Sequence, residues 1–241
     1  MAMDAMTVME GYRSGLDAHD HPANRQFMVE VFRWMTGGLV LSGVVAAWLC
    51  GNPEKLRAFF QGGSLLLVGL CVVELVMVVV LSAGIQKLSF GQAAGGFLFF
   101  AALNGVTLAP VLLVYTQASV SNAFFTTAGV FGVMSAYGYV TKTDLTTMGN
   151  LLFMALIGIV IASFVNFFMR SPAVSWATTY AGVLVFVGLT AYDTQKIKKL
   201  DFLVRPGSEE EEKEAILGAL SLYLDFVNLF LDILRIMGRR R

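Results

Sequence analysis

Long apolar runs separated by short polar breaks dominate this chain, and the runs exceed what strands or soluble helices require. Crossing about 30 Å of hydrocarbon takes roughly 20 mainly apolar residues. Six stretches meet that measure: Trp34 to Cys50, Ser64 to Ile85, Ala93 to Tyr115, Ala123 to Val140, Met148 to Met169 and Ala173 to Tyr192. The breaks fall at Asn52-Pro53, Gln117 to Asn122, Lys142 to Asp144 and Arg170-Ser171-Pro172. They are short, so neighbouring helices should pack antiparallel. A seventh stretch, Ala215 to Met237, is long enough but carries Asp225 and Asp232. Each costs about 2.5–3.5 kcal/mol at a helix centre, so this helix should not face lipid. The pattern predicts an all-α membrane protein divided into an N-terminal tail (1–30), a seven-helix transmembrane domain (31–238) and a basic C-terminal tail (239–241).

Composition sharpens that picture. The chain is 56% hydrophobic and 14% charged, where a soluble domain carries about 25% charged residues. Residues 88 to 141 contain no Asp, Glu, Lys or Arg, which excludes a water-soluble enzyme. Seventeen basic and seventeen acidic residues cancel, leaving no field to attract nucleic acid. Cys50 and Cys71 both fall in apolar runs and say nothing of redox compartment. The first thirty residues lack an apolar signal segment, so insertion is expected to use the first membrane helix.

Short cytoplasmic loops are enriched in Lys and Arg. With the N-terminus cytoplasmic, the inner segments hold Arg13, Arg25, Arg33, Lys87, Lys142, Lys196, Lys198, Lys199, Arg205 and Lys213, against Lys55, Arg57 and Arg170 outside. Arg235 and Arg239 to Arg241 lie outside if the last helix crosses fully and inside if it dips and returns, and the sequence leaves both open. Glu209 to Glu212, before that helix, reads as a solvated acidic run. Likenesses between the third and fifth spans, Phe97-Leu98-Phe99 with Leu151 to Phe153, suggest a repeated three-helix half.

Charges at membrane depth mark function by default, and Glu74, Asp193, Asp225 and Asp232 are the ones to weigh. At about 100° per residue, Glu214, Gly218, Ser221, Asp225, Asn228, Asp232 and Arg235 fall within one arc of about 100° on the last helix. Such a stripe lines a hydrated cavity or forms a buried interhelical network, because polar groups against hydrocarbon would be unsatisfied. Asp193 reads alternatively as an interfacial charge beside Lys196, Lys198 and Lys199, and Asp232 as a partner of Arg235 or Arg239. Glu74 is either held in a packed interior or a further acid lining the cavity. If the sixth span ends at Tyr192 and the last helix starts near Glu214, Asp225 lies about 16 Å inside its helix while Asp193 sits at the interface. The two meet only if the last helix starts near Gly218 or the sixth span is longer. His19 and His21 lie in the tail, so no histidine-based metal site or nucleophile triad forms in the membrane.

Gly188-Leu189-Thr190-Ala191-Tyr192-Asp193-Thr194-Gln195 and the run from Leu217 through Leu222-Tyr223-Leu224-Asp225-Phe226-Val227-Asn228 to Phe230 resemble the signature of the Bax inhibitor-1 family, the transmembrane Bax inhibitor motif proteins. Ala83 to Ser89, Tyr137-Gly138-Tyr139 and Asn150 to Gly158 are similar to its bacterial inner-membrane branch. The resemblance implies a seven-helix bundle in which a central last helix is wrapped by two three-helix layers. It also implies a pH-sensitive calcium leak in a multi-pass inner-membrane protein, with Asp193 and Asp225 as sensor and gate. Glu74, Ser221, Asn228 and Asp232 are then candidates for the cavity lining, and the Asp193 and Asp225 oxygens for weak calcium binding. No cofactor is expected beyond calcium as permeant ion; the partners expected are the bilayer, calcium and protons. No Lys or Arg occurs in the second to fifth spans to latch an acidic pair.

Two rivals differ in class. Intramembrane aspartyl proteases share a Tyr-Asp on one helix, but Leu222-Tyr223-Leu224-Asp225 stands where they need Gly-x-Gly-Asp, so an enzyme is not expected. The other is a non-conducting regulator that binds a membrane protease or stress-response partner through its tail and loops.

Overall fold

The computed structural model describes residues 22–59, 64–200 and 205–239. The predicted tail segment 1–21 and the last two arginines lie outside the described residues. The elements are α1 (Pro22–Cys50), α2 (Pro53–Phe59), α3 (Ser64–Gly84) with a 3-10 turn (Ile85–Lys87), α4 (Phe90–Val114), α5 (Gln117–Val140), α6 (Thr146–Met169), α7 (Pro172–Leu200) and α8 (Glu209–Met237). All but α2 are long and apolar enough to cross a membrane, giving seven spans.

The spans sit where hydropathy puts them, yet several helices outrun them. α1 begins inside the predicted tail, with Phe27, Met28 and Val31 buried and Glu30 paired to Arg33 at 2.8 Å on the outer side. The predicted break at Gln117 to Asn122 is helical: the Thr116 hydroxyl accepts from the Ser119 amide and starts α5 six residues early. Such a cap satisfies an amide that would otherwise lack a partner, and hydropathy does not register it. α7 continues eight residues past Tyr192. The acidic run is no loop, since Ser208 caps α8 and Glu209 to Glu212 form its first turn. Carboxylates there lie at the positive end of the helix dipole.

The helices form two groups around α8. α4 packs on α1 and α3, α7 packs on α5 and α6, and α8 touches α1, α3, α4, α5 and α7. The bundle is therefore two three-helix layers with the last helix between them. Position in the layer pairs α4 with α7 rather than with α6, so the likeness of the third and fifth spans does not follow the architecture. Aromatic edges close on α8 from both sides: Phe97 and Phe100 meet Tyr223 at 5.9 and 5.7 Å, and Phe124 and Phe131 meet Phe226 at 5.6 and 5.4 Å. The outward surfaces of α3 and α6 expose Val72, Val76, Val80, Phe153, Ile161 and Phe168, an apolar girdle suited only to lipid.

α8 runs the full length of the bundle. At its start, Glu209 Oε1 accepts from the Phe90 amide at 2.8 Å and Glu214 Oε1 from Gln86 Nε2 at 2.9 Å. At its end, the Arg239 amide donates to Ser119 Oγ at 2.9 Å and its carbonyl accepts from the Thr116 amide at 3.1 Å. Those contacts lie at opposite ends of α4, so the last helix does not dip and return. The start of α1 and the end of α8 open on opposite faces.

Candidate functional site

The polar stripe of α8 faces α7. Gly218 lies against Ile197, Asp225 meets Asp193, Asp232 fits against Gly182, and Arg235 Nη1 donates to Thr179 Oγ1 at 3.1 Å. Of the two readings open from sequence, the buried interhelical seam is the one observed. Glu214 turns away to Gln86, and the Asn228 amide donates to the Leu224 carbonyl of its own helix at 2.8 Å. Ser221 is half-buried.

At the centre of the seam, the Asp193 and Asp225 carboxyls lie close enough to interact directly across α7 and α8. The longer α7 makes this possible, because it carries Asp193 inward from its end at Leu200. Asp225 is only 5% exposed, and its Oδ2 finds no hydrogen-bond donor among the described residues. Two ionised carboxylates cannot hydrogen-bond one another, so a bond between them would need a shared proton. Lys196, exposed and one turn along α7, is the base whose charge reaches Asp193.

The helix carrying Asp193 is clamped just beyond it. Gln195 Nε2 donates to the Thr143 carbonyl at 2.8 Å and its Oε1 accepts from the Leu145 amide at 2.9 Å. Lys198 Nζ donates to the Tyr139 carbonyl at 2.9 Å and sits 4.7 Å from the centre of that ring. Lys199 Nζ meets Asp144 Oδ1 at 2.8 Å, and hydrogen bonds from Lys199 and then Thr146 hold the Asp144 carboxyl down to about 2. Close approach reinforces the clamp: a Cβ on Gly138 of α5 would collide with the Ala191 carbonyl of α7.

Glu74 does not join the dyad. It lies across α8, accepting from Thr107 Oγ1 at 2.8 Å and Asn104 Nδ2 at 3.4 Å. Asn104 Oδ1 accepts from the Tyr223 hydroxyl at 2.8 Å, and that hydroxyl meets Ser42 Oγ at 2.6 Å. Ser42 Oγ also lies within bonding distance of the Ala101 and Gly38 carbonyls, at 2.7 and 2.9 Å. One network thus ties α1, α3 and α4 to Tyr223, two residues and about 200° around α8 from Asp225. Sequence reasoning misses Tyr223, Asn104, Thr107 and Ser42, although lone polar side chains in apolar spans are the available signal.

A sequence profile described as "Inhibitor of apoptosis-promoting Bax1" matches residues 24–241. The chain belongs to the Bax inhibitor-1 family. Among its relatives in the family, the inner membrane protein YbhL of Escherichia coli (strain K12) is 51% identical over 216 residues, 89% of this chain and 92% of that protein. An uncharacterised protein of Deinococcus radiodurans is 43% identical over 216 residues, 90% and 91% of the two chains, and one of Borreliella burgdorferi 41% over 216 residues, 90% and 93%. This Bax inhibitor-1 chain is thus a multi-pass, all-α membrane protein in which Asp193 of α7 lies beside Asp225 of α8. Among the described residues no group of three or more His, Cys, Asp or Glu side chains is placed to hold a metal, so the dyad offers an ion two carboxyls and no closed cage.

Proposed function

We propose that this protein is a pH-sensitive, calcium-permeable leak channel of the bacterial inner membrane, gated by Asp193 and Asp225. The observation that carries the reading is the buried carboxyl–carboxyl contact joining α7 to α8. A proton between the two acids clamps the helices; when it leaves, like charges face each other in a low dielectric and repel. The proton therefore shifts a closed-to-open population by its differential affinity for the two states. Once parted, the oxygens are hard ligands that suit calcium, and two carboxyls are too few to trap an ion that takes six to eight oxygens. Weak binding of that kind favours passage.

The inner-membrane assignment follows the name of the Escherichia coli relative. The basic residues support a cytoplasmic N-terminus, since Lys87, Lys142, Lys196, Lys198, Lys199 and Arg205 share the face from which α1 enters. The dyad is buried at mid-seam, Asp225 being 5% exposed, and that observation favours the second reading, a non-conducting regulator that binds a membrane protease or stress-response partner. Calcium flux into proteoliposomes across a pH series, comparing the wild type with Asp193→Asn and Asp225→Asn, separates the two. A channel shows pH-dependent flux that both variants alter. Wild type that conducts at no pH returns the dyad to a structural role and puts the regulator ahead.

A further inference from the structure

Between α1 and α5, where the two layers face each other beside α8, the bundle is not closed. A groove of about 340 Å³ runs there, lined by Met28, Phe32, Gly132, Ser135, Ala136 and Tyr139. That volume lies within the range of sites that hold small ligands. Small residues at Gly132, Ser135 and Ala136 ordinarily mark a face on which another helix seats closely; here Gly132 and Ala136 stay exposed. The flanks are apolar and outward: Val29, Val133 and Val140 are 51%, 68% and 68% exposed. What reaches the groove is therefore the membrane.

Two further features specify the occupant. Ser135 is 5% exposed, and its hydroxyl has no hydrogen-bond partner among the described residues. Buried hydroxyls are nearly always paired, because leaving one unpaired forfeits its hydration. An acceptor supplied from outside the chain would pair it. Tyr139 lines the groove one turn from Ser135 toward the end of α5, and Lys198 Nζ sits over its ring and uses one of its three protons on the Tyr139 carbonyl. A cation at the headgroup level, an unpaired donor one turn deeper and an apolar trough below follow the order of a glycerophospholipid: phosphate, ester, acyl chain.

We infer that this groove binds one anionic glycerophospholipid, its acyl chain between α1 and α5, an ester carbonyl at Ser135 and its phosphate toward Lys198. The test is to reconstitute the full-length protein with phosphatidylglycerol carrying a photoreactive group on its acyl chain and to map the labelled peptides. The expected result is labelling concentrated on residues 28–32 and 132–139 and competed by unlabelled phosphatidylglycerol better than by phosphatidylcholine. Labelling spread evenly over the lipid-facing surfaces of α3 and α6, or competed equally by both lipids, overturns the proposal. Two variants provide a second reading. Ala136→Trp fills the trough and should remove the concentrated labelling, and Lys198→Gln should lower the preference for phosphatidylglycerol about fivefold, the effect of one basic residue at an anionic lipid surface. Folded variants that label like the wild type overturn it as well, and the wild-type map decides the matter without either of them.

Discussion

Replacing Asp225 with Asn should turn a proton-dependent clamp into a permanent one. In the proposed gate the Asp193–Asp225 clamp holds only while a proton lies between the carboxyls, whereas the amide introduced by Asp225→Asn donates to the Asp193 carboxylate at every pH. The side chains are nearly equal in volume, so the 5%-exposed site needs no repacking. A hydrogen bond to a charged group contributes about 1.5–3 kcal/mol, and at 1.4 kcal/mol per factor of ten that biases the closed state roughly ten- to a hundredfold. Calcium entry into proteoliposomes at a pH where the wild type conducts should fall by that factor in Asp225→Asn, and the pH profile should flatten. Asp225→Ala removes the clamp and should leak at every pH. Both arms are read at equal protein loading with an ionophore endpoint. An Asp225→Asn protein whose flux stays within twofold of wild type with its pH dependence intact would falsify the clamp.

Three further outcomes rest on other parts of the structure. Tyr223→Phe removes the hydroxyl joining Asn104 to Ser42; at about 0.6 kcal/mol per membrane hydrogen bond, rising toward 3 where a buried acceptor is left unpaired, the thermal midpoint should fall, and a double-mutant cycle with Asn104→Ala should show coupling where zero would remove the network's energetic role. Gly182→Ala places a methyl group on the Asp232 carboxylate, so the overpacking cost of about 1–3 kcal/mol should appear in the same melt; an unchanged midpoint would show that Asp232 moves aside freely. Asp144 has its carboxyl lowered from 3.8 to about 2 by Lys199 and Thr146, so its contribution is fully present above 3.8 and lost as pH falls toward 2. The stability difference between wild type and Asp144→Asn should shrink across that window, and a difference that does not shrink between about pH 4 and about pH 2 contradicts the assignment.

The spans were legible because bilayer thickness leaves a length of apolar sequence that nothing else produces. The acids were legible for the complementary reason, that a carboxyl at that depth is costly and so conspicuous. Helix length was not, since hydropathy reads hydrocarbon depth whereas a helix continues until a cap or a break stops it. α7 runs past Tyr192 to Leu200, and α8 starts at Glu209, capped by Ser208, rather than near Glu214. The eight residues missing from the sixth span were the ones needed to bring Asp193 to Asp225. Glu74 was visible as an acid but not as a member of the network, because only the packing of α3 on α4 shows that it faces Asn104 and Thr107 rather than α7. The clamp through Gln195 and Lys198 was invisible for the same reason: its partners are backbone groups of another segment.

The distribution of ties on α8 decides which seam should part. On the side of α1, α3 and α4 the helix is held at mid-length by Tyr223 and at its start by Glu209 on the Phe90 amide and Glu214 on Gln86. On the side of α7 the polar ties among the described residues are the dyad at mid-length and Arg235 to Thr179 near the far end. Loss of the shared proton removes only the dyad, so α8 should stay with the first layer while α7 swings from it at the end nearest Leu200, pivoting about Thr179. Spin labels at Leu200 and Glu212, in a background with Cys50 and Cys71 replaced by Ala, should give a distance distribution that lengthens as the dyad deprotonates. Labels at Gly91 and Glu212 should give one that does not. A change in the second pair with none in the first would mean that the Tyr223 seam opens instead and that the dyad holds α8 to the layer it leaves last.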